Sequence, residues 1–144
     1  MEQLFQFVGN HPALFLAFGA VGGVLVWSFF GEQLQGIQSV QPQEATLLIN
    51  HEDAVVLDVR EDSEFIQGHI INSLHIPLSS LSDKIKRLEK YRDRPIILSC
   101  ATGSRSASAY HRLKKLGFEN VYNLRGGLMA WQGASFPLAK GKEG

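Results

Sequence analysis

A single cysteine, Cys100, is the residue of this sequence best suited to covalent chemistry. It follows the apolar run 95–99 and opens a loop of small residues with one arginine: Cys100, Ala101, Thr102, Gly103, Ser104, Arg105 and Ser106. Small side chains and Gly103 allow the backbone N–H groups to turn inward, which forms an anion-binding nest at the N-terminus of a helix. We expect this nest, with Arg105 as the main side-chain contributor, to lower the pKa of the thiol from about 8.5 into the range of roughly 3.5–7.5.

The ordinary interpretation of a lone cysteine is a small buried hydrophobic residue. The loop favours a different role, because a structural cysteine needs neither the glycine turn nor the arginine. The same N–H groups stabilise a thiolate at rest and an anionic persulfide after reaction. We therefore predict that Cys100 is the catalytic nucleophile, with the substrate bound by the rest of the loop: Ala101, Thr102, Gly103, Ser104, Arg105 and Ser106.

The elements around the loop predict an α/β domain. Short apolar runs rich in β-branched residues indicate strands at 37–40, 54–59, 73–77, 95–99 and 121–124. Helical spacing indicates helices at 42–50, 80–91 and 105–116. This alternation is typical of a largely parallel sheet, in which ligands bind beyond the carboxyl ends of the strands, where Cys100 lies.

Three separated motifs make the sequence similar to the rhodanese family, over about residues 37–138. The first is Leu-Asp-Val-Arg at 57–60 followed by the stretch 64–77, and the second is the Cys-x-x-Gly-x-Arg-Ser loop. The third is Val-Tyr-Asn-Leu-Arg-Gly-Gly at 121–127 followed by Trp131. The resemblance implies a three-layer fold around a mostly parallel five-stranded sheet. It also implies a sulfurtransferase that carries a sulfane sulfur from thiosulfate or polysulfide to a thiophilic acceptor as a cysteine persulfide.

Several residues of these motifs receive supporting roles. Asp58 and Arg60 end a strand at the edge that carries the cysteine, and they form either an ion pair that shapes the pocket or a simple surface or scaffold pair. We expect His69 to bond to backbone in a turn, Gly126-Gly127 to permit a tight strand-to-helix turn, and Trp131 to pack in the core.

Other chemistries fit the sequence less well. The loop is Cys-x4-Arg, whereas cysteine phosphatases use a loop that is one residue longer. A single cysteine and five scattered histidines predict no metal site, and we expect no cofactor. The alternative function for this protein is an interaction module without catalysis, as in degenerate rhodanese domains. Those domains usually lose the cysteine, which this chain keeps. Members that use thiosulfate often have a basic residue after the cysteine, where this chain has Ala101.

The partners follow from composition and from the single thiol. Basic and acidic residues balance at 14 each, so we expect no binding to nucleic acid. With no second cysteine in the chain, the sulfur must pass to cyanide, a small thiol or another protein. Gly19 and Gly23 form a Gly-x-x-x-Gly pair that would allow a weak homodimer of helices in a membrane.

An uncharged stretch at 12–30 predicts a membrane-spanning helix. Its length of about 28 Å, at about 1.5 Å per residue, is close to the thickness of a hydrocarbon core. A cleaved signal peptide and a buried core helix are the alternatives, but Glu2 stands where a signal peptide has basic residues. We expect one pass through the cell inner membrane. The flanking charges do not indicate the orientation, and we place the domain in the cytoplasm because a free thiol persists in reducing compartments.

The predicted organisation has four parts. They are a membrane helix with its flanks at 1–32, a linker and first strand at 33–41, a rhodanese-like domain at 37–140 and a flexible tail at 141–144.

Overall fold

A computed structural model describes residues 9–142, and the chain divides into two compact units after Gly36. The predicted N-terminal flank at 1–8 and the last two residues of the predicted tail lie outside the described residues. The first unit contains helix α1, Pro12–Leu34. It begins at Pro12 as predicted but extends two residues past the predicted boundary at 32. The sequence Glu-Gln-Leu favours helix, and the first residue that stops it is Gly36, which has a φ of 69°.

Helix α1 is long and apolar enough to cross a membrane. The segment Pro12–Gly31 has a mean hydropathy of 2.1, and every residue in it except Gly22 and Gly31 is exposed. Leu16, Phe18 and Phe29 are each at least 75% exposed. A core helix would bury such side chains, so the structure argues against that alternative, whereas a membrane span and a signal sequence both have this composition.

The second unit is built on a parallel five-stranded sheet. Its strands are β1 (Ser39–Val40), β2 (Val55–Asp58), β4 (Leu74–His75), β5 (Ile96–Ser99) and β6 (Val121–Leu124). They lie in the order β1-β6-β5-β2-β4, with every neighbouring pair parallel. A separate antiparallel pair joins β3 (His69–Ile70) to β7 (Leu138–Ala139). The predicted α/β fold with a central five-stranded sheet is therefore confirmed.

The helices of this unit are α2 (Pro42–Glu52), α3 (Asp62–Gln67), α4 (Ser104–Lys115) and α5 (Gly127–Gly133). Neither α3 nor α5 was predicted, because each has only six or seven residues and shows little periodicity. The helix predicted at 80–91 is instead two 3₁₀ segments, Leu78–Ser80 and Ile85–Tyr91, separated by a turn. Apolar residues spaced three apart lie on one side of a 3₁₀ helix as they do on an α-helix, so the pattern did not distinguish the two.

The core lies on both faces of the sheet, which gives three layers. Alternate residues of β5 point in opposite directions: Leu98 belongs to one buried cluster and Ile97 to the other. The first cluster is covered by α4, through Leu113, and by the 3₁₀ segments. The second is covered by α2 and α5, through Ala45 and Leu128. Both faces are apolar, as a parallel sheet requires.

The topology brings the ends of the central strands to one edge. Strands β2, β5 and β6 are parallel neighbours, so the residues that follow Asp58, Ser99 and Leu124 lie together. A bond of 3.0 Å from the N–H of Val59 to the carbonyl of Ser99 continues the ladder to this edge. Cys100 is the next residue, so the fold places it where ligands of α/β sheets bind.

Candidate active site

Cys100 lies between the end of β5 and the start of α4, with its side chain fully buried. Gly103 is the residue immediately before α4, and its φ of 104° is a value that favours glycine. This turn directs the N–H of Gly103 at the Cys100 Sγ, 3.0 Å away. The hydroxyl of Ser106, in the first turn of α4, lies 3.4 Å from the same sulfur. The predicted nest is therefore present around the thiol.

Burial raises the pKa of the Cys100 thiol, but the surrounding donors more than offset it. The hydroxyl of Ser106 and the backbone N–H groups of Ser106, Gly103 and Thr102 stabilise the thiolate, and the net effect is a pKa below the ordinary value. The predicted role of Arg105 as the main side-chain contributor is wrong. That contributor is Ser106, because the guanidinium of Arg105 is bound to another residue.

The partner of Arg105 is Glu64 in α3. Two parallel hydrogen bonds of 2.8 Å join the guanidinium to the two carboxylate oxygens. Hydrogen bonding to Arg105 lowers the pKa of Glu64 to about 2, against the opposing effect of partial burial, and the Glu61 N–H adds to the lowering. The carboxylate is thus fully charged above its ordinary pKa of 4.5, and the pair is lost only as the pH falls towards about 2.

Asp58 and Arg60 form a buried ion pair rather than a surface one. The exposed fraction of each residue is 5% or less, and the closest nitrogen–oxygen distance is 2.7 Å. Arg60 also donates to the carbonyl of Gly68 at 2.7 Å and to that of Glu64 at 3.4 Å. The pair therefore fixes α3 against the end of β2. Arg60 also lines an open cleft of about 320 Å³ with Glu64 and Leu128. The contacts to α3 support the scaffold role, and the role in shaping the pocket at Cys100 stays a prediction.

Ser106 is held by a polar contact under the loop. Its hydroxyl lies 2.5 Å from Oδ1 of Asn123, 3.0 Å from the carbonyl of Gly103 and 3.4 Å from Sγ, so these three atoms are the possible acceptors of its one proton. The Asn123 amide in turn donates to the Gly103 carbonyl at 3.3 Å. Asn123 is fully buried in β6, so the central sheet fixes the serine that faces the sulfur.

The loop is also fixed from its other side by α5. Its first N–H groups donate to the loop carbonyls: Leu128 to Cys100 at 2.8 Å and Met129 to Ala101 at 3.1 Å. Gly127 lies so close that an added Cβ would be 2.5 Å from the Cys100 carbonyl oxygen. The tight turn predicted at Gly126-Gly127 is confirmed, since both have positive φ, and Gly127 is also required by the loop.

Two further structural expectations are confirmed. His69 Nδ1 lies 2.9 Å from the carbonyl of Phe65, and the two rings stack at 3.8 Å. His75 stacks on the other side of Phe65 at 4.3 Å, which holds α3 in position for Glu64. Trp131 is 5% exposed within the core cluster under α5.

The remaining predicted loop residues differ in exposure. Thr102 and Ser104 are exposed, Ala101 is partly buried, and Gly103 and Ser106 are buried.

Sequence reasoning missed the roles of Glu64, Asn123 and Gly127. Two signals were available: an arginine beside a buried thiol needs a counter-charge, and an asparagine within an apolar strand needs a hydrogen-bonding partner.

Comparisons with known proteins agree with the fold and the loop. The family model of the rhodanese-like domain matches residues 41–134. The chain is 35% identical over 143 residues to the uncharacterized protein YibN of Escherichia coli K12, covering 99% of this chain and 100% of that protein. It is 41% identical over 106 residues to the thiosulfate sulfurtransferase GlpE of Ectopseudomonas mendocina, covering 72% and 94% respectively.

A crystal structure of a rhodanese-related protein from Thermoplasma volcanium is also similar. It has 38% sequence identity and a TM-score of 0.64, and the match covers 71% of this chain and 97% of that one. The chain therefore belongs to the rhodanese-like family, and sulfurtransferases are among its relatives.

Substitution of Gly127 should disturb the cysteine loop. We expect Gly127→Ala to lower stability by about 1–3 kcal/mol, because alanine is strained at a φ of 58° and its Cβ meets the loop carbonyls. Gly133→Ala is the matched control in the same helix, where an added Cβ meets nothing within 4 Å. Its stability should change by less than about 1 kcal/mol. Urea unfolding compares the two, and equal stabilities would contradict the close approach.

Substitution of Ser106 should raise the pKa of the Cys100 thiol. Ser106→Ala removes the side chain that most stabilises the thiolate, so the midpoint of the pH profile of iodoacetamide alkylation should move to higher pH. Ser108→Ala, an exposed serine of the same helix, is the control and should leave the midpoint unchanged. A midpoint in Ser106→Ala that equals that of the wild type would show that the backbone donors act alone.

Proposed function

We propose that the protein is a sulfurtransferase that moves a sulfane sulfur through a persulfide on Cys100. The observation that carries this proposal is the Gly103 N–H bond to the sulfur, with Ser106 beside it and a lowered thiol pKa. An activated thiolate in a nest of donors is suited to attack sulfur and then to hold an anionic product. The sulfurtransferases among its relatives support the same activity.

The first half-reaction loads the cysteine. The Cys100 thiolate attacks the outer sulfur of a donor such as thiosulfate or polysulfide, and a new Sγ–S bond forms. The donor S–S bond breaks, and its electron pair leaves with the rest of the donor, which is sulfite in the case of thiosulfate. The terminal sulfur of the persulfide then carries the negative charge that the loop N–H groups stabilise.

The second half-reaction removes the transferred sulfur from Cys100. An acceptor such as cyanide or a small thiolate attacks the terminal sulfur, and the electron pair of the S–S bond returns to Sγ. Thiocyanate or a new persulfide leaves, and the thiolate is regenerated. Because Cys100 is the one cysteine of the sequence, the acceptor is an outside molecule, either a small nucleophile or a thiol of another protein.

Mass spectrometry of the intact protein tests the persulfide. Reduced protein incubated with thiosulfate or polysulfide should gain about 32 Da, the mass of one sulfur atom, and lose it when cyanide is added. Cys100→Ser should gain no mass and should have no transferase activity. Absence of the adduct with every donor would favour the alternative, a rhodanese-fold interaction module that needs no catalysis.

We further propose that α1 holds the domain at the inner membrane with Cys100 on the cytoplasmic side. The support is the apolar and largely exposed segment Pro12–Gly31, which has the length of a single span. The cytoplasmic side is favoured because a lone thiol, with no second cysteine to protect it as a disulfide, is kept reduced there. The Gly19 and Gly23 pair, where an added Cβ meets nothing, leaves room for a second helix in a weak homodimer.

Fractionation tests the anchor and its orientation. The full-length chain should stay with membranes through an alkaline carbonate wash, whereas a shortened chain that begins at Gly36 should be soluble and active. Protease added to spheroplasts should leave the domain intact. Release of the full-length chain by carbonate would contradict the span, and digestion from outside would contradict the orientation.

A further inference from the structure

Two arginines near Cys100 are each bound to a carboxylate. Arg105 is bound to Glu64 through two bonds of 2.8 Å, and Arg60 is bound to Asp58 at 2.7 Å. Arg105 also lies within electrostatic range of both Cys100 and Asp58, so the pairs and the sulfur form one group. Two arginines oppose two carboxylates, and the group is neutral before the thiol ionises. The thiolate then makes its net charge negative.

The loop donors compensate one negative charge. The N–H groups that face Sγ are those that lower the thiol pKa, and they hold either the thiolate or the persulfide. A donor that brings two more negative charges is attracted less strongly by a cation that a carboxylate already neutralises. Both arginines of the group are neutralised in this way, although Arg105 keeps N–H groups beyond the two that Glu64 occupies and can still donate hydrogen bonds.

We infer that Glu64, by neutralising Arg105, shifts the donor specificity of the site away from the thiosulfate dianion and towards sulfane-sulfur donors with at most one negative charge. This inference rests on the proposed transferase function and names its substrate class. Glu64 is a positioning residue in this scheme, because it acts through Arg105 and not on the reacting sulfur. Thiol persulfides and thiosulfonates belong to the favoured class.

Two donors that differ in charge but little in shape provide the test. Thiosulfate carries two negative charges, and methanethiosulfonate replaces one anionic oxygen with a methyl group and carries one. Each transfers its outer sulfur to the Cys100 thiolate, and the electron pair of the broken S–S bond leaves with sulfite or with methanesulfinate. The measurement is kcat/KM of the full-length protein in detergent for both donors, expressed as the ratio of thiosulfate to methanethiosulfonate.

Glu64→Gln removes the carboxylate charge and keeps an oxygen that can accept the Glu61 N–H at the start of α3. The ratio of kcat/KM for thiosulfate to that for methanethiosulfonate should rise about tenfold, mainly through a lower KM for thiosulfate. This is the effect expected from one partly screened charge interaction. Any change in thiol reactivity affects both donors alike and cancels in the ratio. Glu44→Gln is the matched control, because Glu44 accepts the Gln41 N–H in the same position of α2, and its ratio should equal that of the wild type.

A second variant tests the same charge argument without touching Glu64. Ala101→Lys adds an unpaired cation to the loop and should also raise the ratio. Unchanged ratios in both variants, or equal effects of Glu64→Gln on both donors, would overturn the inference while leaving the transferase function intact. If neither of these donors nor polysulfide forms a persulfide on wild-type Cys100, the proposed function itself fails.

Discussion

The active site depends on how the backbone of the cysteine loop is fixed between β5 and α5. The carbonyls of Cys100 and Ala101 accept hydrogen bonds from the first N–H groups of α5. Because these carbonyls point towards α5, the turn at Gly103 directs its N–H at Sγ. The loop and the start of α5 lie so close together that residue 127 must be a glycine. A buried thiolate without such donors would be strongly unfavourable, because burial alone raises the thiol pKa. The geometry from strand to loop to helix therefore places the donors that lower the thiol pKa, and the hydroxyl of Ser106 adds to them.

The charged residues play a different part from the one their positions in the sequence predict. Arg105 lies beside the thiol, yet its charge is neutralised by Glu64, whereas the uncharged Ser106 is the side chain that stabilises the thiolate. The buried Asp58–Arg60 pair connects the end of β2 to α3 and so positions Glu64. Ion pairs of this kind fix geometry more than they add stability, since charges must lose water to form them.

Most of the architecture could be predicted from the sequence, because each central strand is a short apolar run and α2 and α4 have apolar residues at helical spacing, while α1 is a long uncharged run. The role of Cys100 as the nucleophile stays a prediction, and the sequence indicates it by placing Gly103 and Arg105 beside the one cysteine. The contacts between distant elements could not be predicted from the sequence. Glu64 meets Arg105 across 41 positions and Asn123 meets Ser106 across 17, and neither pairing has a local pattern. The short helices α3 and α5, which carry Glu64 and Gly127, were missed for the same reason.

Backbone and hydroxyl donors lower the pKa of the Cys100 thiol even though the residue is completely buried. Ultraviolet absorbance of the thiolate, followed against pH, measures this directly, because Cys100 is the only thiol in the sequence and Cys100→Ser supplies the background. The account predicts a titration midpoint below that of a free cysteine in the native protein, and a return to the ordinary value in urea. A native midpoint at or above the value in urea would contradict it.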